Sequence, residues 1–116
     1  MWRHTLWRLE QQLGKFSVAR TAPYGLVAQN VGGSTLHSWA GVGIAQGTPA
    51  ELSMSMSWIA KQRWKSTKVL GIDDASVLDG EMFTKLEEVA RLVIGNSNFF
   101  GGILLVINFD FAQLAP

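Results

Sequence analysis

Two acidic side chains, Asp73 and Asp74, directly follow an apolar run, Val69–Ile72, that has the length of a buried strand. A second apolar run, 103–109, also ends in an acid, Asp110. Strands of this kind place carboxylates at the carboxyl edge of an open α/β sheet, where ligands bind. There one carboxylate can hold hydrated magnesium while its neighbour orients or deprotonates water. An alternative stays open, in which one acid caps the next turn and the other is solvated.

The elements that must position these acids follow from hydrophobic periodicity and turn residues. Leucines at helical spacing predict a helix over 4–13, and alternation predicts a strand over 16–22. Further strands are predicted over 69–73 and 103–109, the latter buried on both faces because it does not alternate. Helices are predicted over 24–30, 35–40 and 50–64, and for about 15 residues after the N-cap Asp79.

Two finer predictions concern the middle of the chain. Ser34 is a suitable N-cap for the helix over 35–40. The helix over 50–64 has four positions that helical spacing makes its buried side: Leu52, Met56, Ile59 and Trp64.

This order of elements predicts an α/β fold with about three parallel strands, flanking helices and right-handed crossovers. The chain starts with a helix that no strand precedes, so we expect the first strand of the sheet to be missing.

Composition narrows the classes of function. The 116 residues allow one domain, and 47% apolar with 16% charged residues favours a collapsed chain over a disordered one. The absence of cysteine excludes disulfides and thiolate metal sites. A net charge of +1 provides no global attraction for nucleic acid. The longest apolar run is much shorter than the roughly 20 residues of a membrane span, so no membrane partner is expected.

Three longer blocks carry a specific resemblance. They are T-A-P-Y-G-L-V-A-Q-N-V-G-G-S-T-L-H-S-W-A-G-V-G from Thr21, V-L-G-I-D-D-A-S-V-L-D-G-E-M-F-T-K-L-E-E-V-A-R from Val69, and F-G-G-I-L-L-V-I-N-F-D-F-A-Q-L-A-P from Phe100. In this order and spacing, the chain resembles the petite-integration-frequency (PIF) family of superfamily 1B DNA helicases over residues 16–116. The blocks S-T-L-H-S-W-A-G and L-D-G-E-M-F-x-K-L-E are the most distinctive.

The resemblance implies a truncated RecA-like P-loop NTPase domain. In the strand order of such a domain, the missing first strand would lie beside 103–109, which would then form an exposed apolar edge. Residues 1–116 would be part of the first such domain of an ATP-dependent 5′-to-3′ DNA helicase, running from the helix after the phosphate loop to motif III. The cofactors would be ATP and Mg²⁺. Asp73 would hold the metal and Asp74 would be the catalytic base. Gln113 would sense the γ-phosphate of ATP, and Asp110 would be the acid of the same motif.

The resemblance also implies contacts with single-stranded DNA. The matching positions are Thr21, Gly25, Thr35 and His37. Hydroxyls, small turns and backbone N–H groups suit phosphate contacts. Trp39 is expected in the core instead. The implied partners are single-stranded DNA and the remainder of a helicase chain. The implied location is the nucleus, the mitochondrion or both, with roles in DNA repair, recombination and telomere maintenance.

Several departures from the family pattern limit what the chain could do alone. No G-x-x-x-x-G-K-[ST] phosphate loop occurs in the 116 residues. Asp74 stands where the family has Glu, Phe109 where it has Gly, and Gly71 where it has an aliphatic residue; Pro23 and Tyr24 replace Ser-Thr. We expect a helicase fragment that is inactive by itself. The alternatives are a catalytically dead remnant that binds single-stranded DNA weakly or acts as an interaction module, and an unrelated small α/β binding domain.

Overall fold

The computed structural model describes residues 1–30 and 32–109, so Asp110 and Gln113 lie outside the described part of the chain. Helices and short strands follow one another along it, with short 3₁₀ turns at Lys15–Ser17, Ala75–Val77 and Phe99–Gly102. The elements are α1 (Trp2–Leu13), β1 (Val18–Ala22), α2 (Gly25–Asn30), β2 (Ser34–Thr35), α3 (Leu36–Ala40), α4 (Pro49–Ser55), α5 (Trp58–Ser66), β3 (Val69–Ile72), α6 (Gly80–Ile94) and β4 (Leu104–Ile107). None of the described helices is long and apolar enough to span a bilayer.

The strands form one parallel sheet in the order β2-β1-β3-β4. The prediction of a parallel sheet with flanking helices is confirmed, and the two-residue β2 adds a fourth strand to the three expected. Thr21 of β1 is level with Ile72 of β3, which is level with Ile107 of β4. The carboxyl ends of three strands therefore meet at one edge of the sheet. The predicted position of 103–109 at the side of the sheet is also confirmed, since β4 pairs with β3 alone among the described strands.

Two layers of helices cover the sheet because β3 is apolar on both faces. Leu70 and Ile72 point into the larger core with α3, α5 and α6, where Trp64 is fully buried. Val69 points the other way, into a smaller cluster with Trp2 and Leu6 of α1. Gly71 also faces α1. Because Gly71 has no side chain, this helix can pack closely against the strand.

The single helix predicted over 50–64 is wrong. The chain forms α4 and α5, separated by Met56 and Ser57 in extended conformation. The Ser57 hydroxyl accepts a hydrogen bond from Ala60 N–H, so a new N-cap begins there. This restart changes the direction of the next side chains, and Ile59 is 65% exposed rather than buried. Leu52, Met56 and Trp64 are buried as predicted.

Three boundaries also differ from the sequence prediction. Phe16 lies in a 3₁₀ turn before β1 and is 94% exposed, because the chain enters the sheet only at Val18. The N-cap of α3 is Thr35, whose hydroxyl accepts from Ser38 N–H, and Ser34 is in β2. Strand β4, which was predicted to be buried on both faces, is only partly buried, and Leu104 is 54% exposed. The reason is that β4 lies at the side of the sheet.

Candidate functional site

The segment after β3 runs between the ends of the neighbouring strands. Asp73 N–H donates to the Thr21 carbonyl at 2.9 Å, which continues the pairing of β3 with β1. On the other side, Asn108 N–H donates to the Ile72 carbonyl and Ala75 N–H donates to the Asn108 carbonyl, both at 2.9 Å. The backbone of Asp73 is thereby held at the carboxyl edge of the sheet. This is the placement expected for a carboxylate that serves a bound ligand.

The side chain of Asp73 is held as well. Its Oδ1 accepts a hydrogen bond from Asn108 Nδ2 at 2.7 Å, in a partly buried position. Sequence reasoning did not select Asn108. The signal available was its place as a polar residue at the end of an otherwise apolar run. A neutral amide donor orients the carboxylate and leaves its negative charge uncompensated for a cation.

Asp74 occupies the left-handed backbone region, with φ 54° and ψ 39°. Asp and Asn tolerate this conformation better than most other residues. It precedes the 3₁₀ turn Ala75–Val77, but its side chain makes no capping hydrogen bond to it. The alternative in which this acid serves as a turn cap is therefore not supported. Its carboxylate is half-buried and can accept a hydrogen bond from a bound ligand or water.

The donors fit a magnesium ion shared with a phosphate better than one held by protein alone. Within residues 1–30 and 32–109, no three His, Asp or Glu side chains come together as a metal-binding group. Mg²⁺ commonly takes one or two carboxylates and completes its shell with substrate phosphates and water. Asp73 can supply such a carboxylate. The predicted contributions of Gln113 and Asp110 fall outside the described residues.

An apolar cavity of about 220 Å³ lies beside the acidic turn, lined mainly by Ala75, Phe83, Ile107 and Phe109. Pockets that enclose a drug-sized ligand usually have about 300–1,000 Å³. Larger clefts of about 520 and 460 Å³ lie along the amino-terminal part of β1, around Lys15, Phe16 and Val18. The cavity beside the acidic turn is smaller than such a pocket, and the larger clefts lie at the opposite end of β1 from Asp73.

The four predicted DNA positions separate into one buried and three accessible residues. Thr21 is fully buried, and its hydroxyl donates to the Gly71 carbonyl at 2.8 Å. This hydroxyl links β1 to β3, so the structure does not support its contact with DNA. Gly25 is exposed at the first turn of α2, and Thr35 and His37 are partly exposed around the start of α3. Thr35 pairs with Ala22, the last residue of β1, so it belongs to the same edge as Asp73.

Two residues of α5 hold α3 in place. Arg63 donates from Nε to the Trp39 carbonyl at 3.0 Å and from Nη2 to the Ser38 carbonyl at 3.2 Å. The indole N–H of Trp64 donates to the Ala40 carbonyl at 2.9 Å. Carbonyls at the carboxyl end of a helix have no partner within the helix, so these bonds satisfy them. Sequence reasoning did not predict this role of Arg63.

The prediction that Trp39 belongs to the core is confirmed. It is 7% exposed, and its ring lies 4.6 Å from that of Trp64. The α3 segment that carries Thr35 and His37 therefore rests on a rigid aromatic and polar support.

Comparison with known proteins gives one consistent family. The model of the PIF1-like helicase family matches residues 1–116. The "ATP-dependent DNA helicase PIF1" of Emericella nidulans is 48% identical over 101 residues, which cover 85% of this chain and 14% of that protein. The "ATP-dependent DNA helicase RRM3" of Saccharomyces cerevisiae is 45% identical over 114 residues, covering 94% of this chain and 15% of that protein. The chain thus spans about a seventh of the length of either relative.

Solved structures agree with these relatives. The crystal structure of Pif1 helicase from Candida albicans superposes with a TM-score of 0.89 at 41% identity, covering 94% of this chain and 25% of that one. The Pif1 helicase from Bacteroides in complex with ADP-AlF3 and single-stranded DNA gives a TM-score of 0.74 at 27% identity, covering 92% of this chain and 25% of that one. The predicted α/β fold of this class is confirmed by these matches.

Proposed function

The chain belongs to the PIF1-like helicase family, and from this premise we propose that it forms part of the motor of an ATP-dependent DNA helicase. In such a protein, ATP hydrolysis is coupled to unwinding of DNA, here in the 5′-to-3′ direction. Because the chain spans a small share of its relatives, the activity is proposed for the protein in which these residues work together with the rest of a helicase chain.

One observation carries the proposal. Asp73 is held by backbone and side chain between the ends of β1 and β4, with its carboxylate bonded to the Asn108 amide. This supports a role as the acid that holds Mg²⁺ beside the phosphates of ATP. The metal would supply Lewis-acid stabilisation of charge at the transferred phosphate. Asp74, next along the chain, would orient and deprotonate the attacking water.

Residues outside the described part of the chain complete this proposal. Gln113 would sense the γ-phosphate and Asp110 would assist in the same segment. Both follow closely after Asn108, whose backbone is tied to Ile72 and Ala75. A change at the phosphate could thereby be passed to the sheet.

Single-stranded DNA would lie across the neighbouring part of the same edge. Gly25, Thr35 and His37 are the accessible candidates there. The Thr35 oxygen accepts a bond from Ser38 N–H, which leaves its hydroxyl proton for a phosphate oxygen. The Bacteroides relative was crystallised with single-stranded DNA and ADP-AlF3, which supports both partners for this class of protein.

The biological setting is proposed from the family alone. DNA repair, recombination and telomere maintenance are the proposed processes. The nucleus, the mitochondrion or both are the proposed locations.

The experiment is a graft of residues 1–116 into the Candida albicans Pif1 helicase in place of its matching segment. We expect the graft to hydrolyse ATP when single-stranded DNA is added and to unwind a duplex with a 5′ single-stranded tail. An Asp73→Asn graft is the control and should lose turnover. The 116 residues alone should be silent, since they contain no phosphate loop.

A second outcome would favour the catalytically dead alternative, which the shortened acid at position 74 motivates. In that case the graft would fold and bind single-stranded DNA, but its ATP turnover would equal that of the Asp73→Asn control.

A further inference from the structure

We propose that Asn108 is a positioning residue for Asp73, and that its amide selects which carboxylate oxygen remains for Mg²⁺. The inference rests on the proposed function, because it assigns a role within the same site. Neither the family comparison nor the sequence motifs assign this role to position 108.

The geometry of the contact is that of a strong hydrogen bond. Asn108 Nδ2 lies 2.7 Å from Asp73 Oδ1, at the short end of the range for an N–H donor to a charged acceptor. A carboxylate can only accept, so the amide must present its N–H₂ group to Asp73 and its oxygen elsewhere. One oxygen of Asp73 is thereby occupied. The other has no hydrogen bond from the described residues.

Asn108 holds the whole turn as well as the side chain. Its N–H donates to Ile72 and its carbonyl accepts from Ala75, so its three hydrogen bonds bracket Asp73 and Asp74. The turn needs such support because Asp74 adopts a left-handed conformation with φ 54°. The side-chain bond adds something the backbone bonds do not, namely a fixed rotation of the Asp73 carboxylate.

The chemistry of an amide suits this task. A Lys or Arg at position 108 would orient the carboxylate but would also compete with the metal cation for its charge. The neutral amide orients without competing. Groups that hydrogen-bond to metal ligands in this way typically change metal affinity roughly 10-fold to 100-fold when removed.

The experiment measures metal affinity on the 116-residue chain, with Mn²⁺ as the probe. Nucleotide is left out so that the titration reports the Asp73 carboxylate alone, and it extends to millimolar Mn²⁺ because the phosphates that would complete the metal shell are absent. The readout is paramagnetic broadening of the backbone amide signals of residues 73–75. We expect Asn108→Leu, which matches the size of Asn but has no donor, to raise the Mn²⁺ concentration for half-broadening by at least about 10-fold. Asn98→Leu makes the same change at an exposed position and should leave this concentration unchanged.

A purely structural role for Asn108 predicts a different result. In that case Asn108→Leu would unfold at a lower urea concentration than the parent, but the folded variant would bind Mn²⁺ with the parent's affinity. This outcome would overturn the inference. If Asn108→Leu does not fold, a Mg²⁺ titration of the parent decides. The side-chain NH₂ signals of Asn108 should then move in step with the Asp73 amide, and a fixed Asn108 signal would overturn the inference.

Failure of the proposed function gives a separate pattern. If Mn²⁺ binding depends on Asn108 but the graft shows no ATP turnover, the positioning role stands and the helicase proposal fails. If the parent chain shows no Mn²⁺ response at residues 73–75, both the metal site and the positioning role are refuted.

Discussion

Leu6 of α1 packs directly onto Gly71 of β3, at a distance that leaves no space for a side chain at position 71. A Cβ placed on Gly71 would lie 2.6 Å from Leu6 Cδ1 and 3.1 Å from the Trp2 ring. Leu6 is fully buried, so it has little room to move aside. The glycine therefore allows α1 to lie close against the strand that delivers Asp73.

We accordingly expect Gly71→Ala to lower the free energy of unfolding by about 1–3 kcal/mol, the usual cost of overpacking. Urea denaturation followed by tryptophan fluorescence measures this. Gly80→Ala is the matched control, because a Cβ there meets nothing within 4 Å and the residue opens a helix. In a Leu6→Ala background the cost of Gly71→Ala should fall, and equal costs in both backgrounds would show that the close contact is not the cause.

Arg63 is expected to matter through α3 and not through its charge. Arg63→Met keeps most of the aliphatic stem but removes the bonds to the Trp39 and Ser38 carbonyls. We expect a loss of stability of about 1–3 kcal/mol and weaker binding of a labelled oligonucleotide by fluorescence anisotropy. Lys65→Met removes the same charge from an exposed position of α5 and is the control. An equal loss of DNA affinity in both variants would mean that only charge is involved.

Thr21 and His37 should separate stability from DNA binding. Thr21→Val removes a buried hydroxyl that donates to Gly71, so we expect about 1 kcal/mol less stability and an unchanged oligonucleotide affinity for the folded protein. His37→Ala should leave the free energy of unfolding unchanged and weaken oligonucleotide binding. Stacking of an aromatic ring on a base is worth about 1–3 kcal/mol, and we expect a loss of that size. Urea denaturation and anisotropy on the same samples give both numbers. Weaker DNA binding by the folded Thr21→Val variant would show that Thr21 does contact DNA.

Lengthening the acid at position 74 should increase catalysis in the graft. Asp74→Glu moves the carboxylate outward by one methylene, and misplacement on that scale can cost about 100-fold in rate. We expect DNA-stimulated ATP turnover to rise by up to this factor, at some expense in stability because Glu tolerates the left-handed backbone less well than Asp. Asp74→Asn, which has the same size but is a poor base, should abolish turnover. Lower turnover in Asp74→Glu than in the parent would argue against the base role.

Acid sensitivity should arise in part at Glu87. The hydrogen bond from the Arg91 side chain lowers the pKa of Glu87 from its ordinary 4.5, and the Phe100 N–H adds to this against the effect of burial. Because the folded pKa is the lower one, the stabilisation is complete above pH 4.5 and is lost as pH falls through the folded value.

Glu87→Gln should therefore be less stable than the parent near neutral pH, and the difference should shrink below pH 4.5. Urea midpoints measured from pH 3 to pH 7 report this difference. Glu88→Gln is the neighbouring exposed control and should follow the parent. A constant offset across the whole range would rule out a titrating contact at this position.

The local elements were largely predictable because they depend on short-range patterns. The apolar run of β3, the N-cap Asp79 and the glycine after α6 each specify their structure within a few residues. The prediction of a single helix over 50–64 failed because the helical periodicity of the apolar residues concealed the capping signal of one serine. Ser57 restarts a helix within an otherwise helical pattern, so the periodicity that predicted Ile59 as buried no longer applied.

The sequence alone determined that Asp73 follows a buried strand and that its neighbours match a helicase motif, since both are properties of contiguous residues. Only the tertiary structure decided which groups surround that acid. Asn108 is 35 residues away from Asp73 along the chain, and parallel pairing of β3 with β4 brings the two within 2.7 Å. Parallel pairing of β1 with β3 likewise buries the Thr21 hydroxyl against Gly71. These contacts depend on the register between strands. A shift of one residue in that register would break the contacts and leave the sequence motifs unchanged.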